Sequence, residues 1–277
     1  MSGPLNSFRV LHLTANVPGP LAASKLAQAG ARVTKVEPPQ GDQLELGYPD
    51  WYRSMHEGQT ILKLDLKQPE TRKQMDELLI GCDLFLTTLR LPALKRLGLD
   101  WESVHRAHPK LSMFVIQGYP PPDENHAAHD LTCQAKAGTL TPPAMPRALL
   151  ADFAAAERVV AQCLLLLIGA RETGKGGYGY VALSQVAEDF GLPYRLGLTR
   201  EDGVLGGAHD GYGLYRASDG WVALAALEFH FLSRFKEKLG LESTDREVLE
   251  RVFPTRTAVE WENFGKEHDI PIAAVAT

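Results

Sequence analysis

With 277 residues, 44% of them hydrophobic and 23% charged, the chain can bury a large core, as one big domain plus a smaller one. A formal net charge of −5 leaves no basic footprint for nucleic acid or an anionic membrane surface. The longest uninterrupted apolar run, residues 163–170, is too short to span a bilayer.

Residues 8–14 read as a short buried strand, Pro18-Gly19-Pro20 as a break, and residues 21–28 as a helix closed by Gly30. Residues 31–37 form a second strand, stopped by Pro38-Pro39. Together they predict a β-α-β unit opening a parallel sheet, hence an α/β fold with a Rossmann-like large domain. Residues 62–66 alternate like a strand, and the stretch Pro69–Leu79 is helical. Two more strands are predicted at 83–87 and 111–116. A long helix should run from about Phe153 to Arg171 and end near Gly174, with a strand at 180–183 after it. Residues 199–213, rich in Gly and Asp, read as a linker. Beyond them, 213–224 reads as a hairpin with its turn at Ser218-Asp219-Gly220, followed by helices near 229–239 and 258–268. The expected division is a Rossmann-like large domain over 1–198 and a linker plus small α+β domain over 199–277.

Asp152 is a lone carboxylate in the apolar run 148–156, which turns directly into a helix. A charge there must be solvated, cap the helix, or do chemistry. Upstream lies His129-Asp130, and downstream Glu228 interrupts the apolar stretch 225–229. Three ionisable groups where hydrophobes are expected could form one acid/base site. Capping explains Asp152 equally well, His129-Asp130 reads equally as a loop hydrogen-bond pair, and Glu228 as a solvated charge.

Other motifs fail. No Gly-x-Gly-x-x-Gly follows the first strand, so Glu37 at the end of the second is weak as a ribose-binding acid. The stretch 169–175 matches most of a phosphate loop, yet Gly176 stands where Ser or Thr should, and the stretch ends a helix. His126, His129 and Cys133 have chelating spacing without a second ligand pair, so no metal is expected. Cys82, Cys133 and Cys163 are odd in number and widely spaced, which fits reduced thiols; with no signal peptide in residues 1–6, a cytoplasmic location is expected.

Over nearly its whole length the chain resembles the family III CoA-transferase (CaiB/BaiF) superfamily. The matching pieces are residues 9–14, Pro18-Gly19-Pro20, 30–39, 64–70, 94–99, 171–176 and 253–261. The resemblance implies an acyl-CoA enzyme, with no cofactor beyond the CoA of its substrate, in a homodimer whose chains interlock. Asp152 falls on the carboxylate that is a nucleophile in the transferases and an acid/base in the α-methylacyl-CoA racemases. His129-Asp130 and Glu228 match the racemase positions, where transferases more often have Tyr-Asp, so racemisation of a 2-methylacyl-CoA is the expected activity. CoA transfer through an acyl anhydride of Asp152 is the alternative, and a non-catalytic CoA-binding paralogue a third. On this reading His129, held by Glu228, and Asp152 exchange the α-proton, and N–H groups at the helix start beside Asp152 hold the enolate oxygen. Arg90 and Arg96 fall on the family's arginines for the CoA phosphates, with Lys35 and Lys63 as weaker candidates. The family's Asn-Arg-Gly-Lys-like element is His56-Glu57-Gly58-Gln59 here, and family members continue past the region of residues 271–275, where this chain stops.

Overall fold

The structure, a computed structural model, describes residues 3–276, which divide into two units at Gly191/Leu192. The division falls earlier than the expected boundary at 198, inside a helix whose first turns bury Leu183, Val186 and Ala187 in the first unit's core.

In the first unit β1 (Arg9–Leu13), α1 (Pro18–Gln28), β2 (Arg32–Glu37), α2 (Gln43–Gly47), α3 (Pro49–Met55) and β3 (Thr60–Lys63) come first. Then follow α4 (Pro69–Leu79), β4 (Leu84–Thr87), α5 (Leu91–Leu97), α6 (Trp101–Ala107) and β5 (Ser112–Gln117). The unit closes with α7 (Asp130–Ala137), α8 (Leu150–Thr173), β6 (Tyr178–Ala182) and α9 (Leu183–Arg195). Six parallel strands lie in the order β3-β2-β1-β4-β5-β6. The strand order reverses direction between β1 and β4, the place where open α/β sheets form a crevice at their carboxyl ends.

Both faces of this sheet are covered, so its strands are apolar runs rather than alternating ones. One core joins Val10, Leu84, Phe114 and Ile116 to α1, α8 and α9; the other joins Leu11, Phe85, Met113 and Val115 to Met75, Leu94 and Val104. Pro18-Gly19-Pro20 is the first turn of α1 and not a break, since proline at the helix start forfeits no hydrogen bond. Gly19 is required there: a Cβ would lie 2.3 Å from the Cβ of Thr14.

Helix α8 buries Ala151, Ala155, Val159, Cys163 and Leu167 in that first core. By length and composition it is also the one helix among the described residues that could cross a membrane, which the run 163–170 alone does not suggest.

The second unit holds a π-helical turn (Val204–Ala208), β7 (Tyr212–Arg216), β8 (Trp221–Ala225), α10 (Phe229–Leu239), α11 (Arg246–Val252), α12 (Ala258–His268) and β9 (Ile272–Ala274). Its antiparallel sheet runs β7-β8-β9. The core is aromatic: Tyr215 stacks on Phe253 at 4.8 Å between ring centres, and the Trp261 indole donates to the Phe253 carbonyl at 2.7 Å. The molecule is thus α/β, with a parallel six-stranded sheet and a small α+β unit.

Candidate active site

The carboxyl ends of β1, β4 and β5 open onto a cavity of about 350 Å³. Asn16 from the β1 loop, Arg90 from the β4 loop, Gln117 and Gly118 at the end of β5, His129 and Asp152 all line it. His129 and Asp152 are thereby brought to one space from the starts of two helices.

Asp130 explains how. Its carboxylate accepts the N–H groups of Ala151 (2.7 Å) and Asp152 (3.1 Å), the first turn of α8. Gln134 donates to its other oxygen at 2.6 Å and to the Ala148 carbonyl at 3.0 Å. A carboxylate from another helix therefore caps α8, satisfying donors that would otherwise be orphaned and complementing the helix dipole. This corrects the capping reading of Asp152, which sits inside the helix behind a Leu149 that gives no side-chain cap. It also removes the N–H groups beside Asp152 as donors for an enolate, because Asp130 occupies them.

Among the described residues no group hydrogen-bonds the Asp152 carboxyl, which is 9% exposed and faces the cavity. Burial, and then the nearby negative charge of Asp130, push its pKa up to about 7. A carboxylic acid titrating near neutrality can give and take a proton under ordinary conditions. His129 heads α7, where the Thr132 hydroxyl accepts its N–H at 3.1 Å and donates to its carbonyl at 2.8 Å, leaving the imidazole exposed toward the cavity.

Gln117 was not anticipated. Its Nε2 is buried without a hydrogen-bond partner in the cavity wall. The signal was a polar residue following the apolar run 113–116 of the strand Ser112–Gln117, at the carboxyl edge where such sheets carry function.

The remaining assignments separate. Arg90 is exposed on the cavity; Arg96, also exposed, is not part of its lining. Lys63 is half-exposed and pairs with Glu45 at 3.3 Å. Lys35 is corrected: it is 1% exposed, and its ammonium contacts Glu37 (2.7 Å), Asp42 (2.8 Å) and the His56 ring (2.9 Å). Three partners use its three donors, so none is left for a phosphate. Glu37 is 2% exposed, its Oε1 accepting the Tyr52 hydroxyl at 2.7 Å and facing Lys35, so burial keeps it from a ribose here. Glu228 stands in the second unit, at the residue before α10, where its side chain makes no cap. Cys133 is buried in the core while His126 and His129 are exposed, and the described residues hold no group of three or more His, Cys, Asp or Glu arranged for a metal.

Residues 5–277 match the family described as CoA-transferase family III. Over 98% of this chain and 78% of its own length, the cinnamoyl-CoA:phenyllactate CoA-transferase of Clostridium sporogenes is 26% identical. The human alpha-methylacyl-CoA racemase is 28% identical over 93% of this chain and 74% of its own. Two solved structures share the fold. One, a hypothetical protein from Mycobacterium tuberculosis, has a TM-score of 0.85 and 23% identity over all of this chain and 84% of its own. The other, a CAIB/BAIF family protein from Brucella suis, has a TM-score of 0.83 and 21% identity over all of this chain and 85% of its own.

Proposed function

The chain belongs to CoA-transferase family III, and from that premise we propose that it moves a proton at the α-carbon of an acyl-CoA thioester, as a racemase of a 2-methylacyl-CoA. One observation carries this reading: Asp152, unbonded and with a pKa of about 7, shares a cavity with His129.

In the proposed step, one of the two groups accepts the α-proton as the C–H bond breaks, and the electron pair enters the thioester carbonyl to give an enolate. The other group returns a proton to the carbon, which restores the carbonyl with either hand. Each direction needs one basic and one acidic partner at a time, and a carboxyl titrating near neutrality, as Asp152 does, can be either. The unpaired Gln117 Nε2 is the donor assigned to the carbonyl oxygen, where an N–H strengthens its bond as charge develops. Arg90 and Arg96, assigned by resemblance, meet the CoA phosphates in this reading.

The test is racemisation of an enantiopure 2-methylacyl-CoA followed by chiral chromatography. Asp152→Asn and His129→Ala should each lower the rate by roughly 100- to 10,000-fold, and Gln117→Leu by about 100-fold. Full activity in His129→Ala would remove that residue from the mechanism.

A second reading has its own support in the similarity to the Clostridium sporogenes transferase over 98% of this chain. There the Asp152 carboxylate would attack the thioester carbon, forming a mixed anhydride and releasing CoA as its thiolate; the acceptor carboxylate would then displace the donor carboxylate at the Asp152 acyl carbon, and the thiolate would attack the acceptor's acyl carbon, giving the new thioester and freeing Asp152.

A further inference from the structure

The cavity does not stop at Asp152. It continues along the face of β5 and β6 as a trough with Met113 and Val115 on its floor and Tyr178, Tyr180 and Trp101 on its walls. The register pairs Met113 with Tyr178 and Val115 with Tyr180, so both tyrosine rings stand on the same side of the sheet as the floor. Tyr178 and Tyr180 are 44% and 41% exposed, and Trp101 faces Tyr178 at 5.6 Å between ring centres. The lining there is apolar and aromatic, which suits an apolar or aryl-bearing chain.

The charges point the same way. Arg90, the one arginine on the cavity, comes from the β4 loop, whereas the trough lies on β6, across β5 from it. The charged side chain on the trough side is Glu124, whose Oε2 is buried with no partner. A second carboxylate on the acyl group would meet that anion, with Arg90 across β5 from it.

Resting on the CoA-thioester reading of the cavity, we propose that the trough is the acyl subsite. It selects monocarboxylic acyl groups with an apolar or aromatic body, and Tyr178 and Tyr180 are specificity-determining residues. CoA then lies toward the β1 and β4 loops while the acyl group runs toward β6.

The experiment is calorimetric binding of unreactive thioether analogues carrying 3-phenylpropyl, octyl and 3-carboxypropyl groups, with free CoA as reference. The wild-type protein should bind the phenylpropyl and octyl analogues at least about tenfold more tightly than the carboxypropyl one. In Tyr178→Ser/Tyr180→Ser that preference should collapse toward unity while free CoA binds as before. Glu124→Gln should tighten the carboxypropyl analogue alone. Equal binding of all analogues by the wild-type protein, or a preference that survives the double substitution, overturns the acyl subsite and leaves the CoA reading standing. No binding of CoA or of any analogue overturns both.

Discussion

Asp152 has no partner and a raised pKa, so its ionisation works against the fold. The sign follows from proton binding. The native state holds the proton up to about pH 7, the unfolded chain only to about pH 3.9. Between those values the native state binds more protons, and stability declines as pH rises through that window. Asp152→Asn removes the ionisation. Thermal unfolding should therefore show the variant level with wild type near pH 4.5 and more stable at pH 8, by several degrees for a cost on the order of 2–4 kcal/mol. An identical melting difference at both pH values would mean that the buried carboxyl is not shifted. The oddness of Asp152 in an apolar run was legible in the sequence. Its cause was not, because the cap that frees it comes from Asp130, and only folding brings that carboxylate to the first turn of α8.

At the scale of elements, β2 shows why alternation misleads in a doubly covered sheet. Residues 31–37 read as a strand whose Lys35 could reach a CoA phosphate, yet both Lys35 and Glu37 point into protein. They join Asp42 and His56 beneath the loop that leads to α2, and burial with the Lys35 charge holds His56 below its ordinary range. Next to this cluster His12, fully buried and bonded to Thr14 and Gln59, is pushed down to about 3. Replacing Lys35 by Met would leave two buried carboxylates without their cation. Urea unfolding should record a loss of about 3–5 kcal/mol, and a loss under 1 kcal/mol would show that water reaches the cluster. Most strands of the first unit and its helices α1, α4 and α8 were legible from the sequence; α9 (Leu183–Arg195) was not, and the strand expected at 62–66 lies earlier, at Thr60–Lys63. The short helices α2, α3, α5, α6 and α7 were not, since each is held by tertiary contacts and caps more than by its own periodicity.

At the scale of the whole molecule, the parallel sheet with its strand reversal at β1 and β4 locates a crevice, and the loops over it decide the chemistry. The family motifs, scattered along the chain from residue 9 to residue 261, made membership legible from sequence; the choice of reaction is not contained in them. That choice rests on whether Asp152 carries a proton or attacks a carbonyl. The most direct measurement incubates the protein with a 2-methylacyl-CoA in deuterium oxide, with a carboxylic acid acceptor and hydroxylamine present, and follows substrate and protein by mass spectrometry. The account predicts one deuterium at the α-carbon, no CoA transfer to the acceptor, and an unmodified Asp152. An undeuterated substrate, with CoA on the acceptor and a hydroxamate at Asp152, would contradict it.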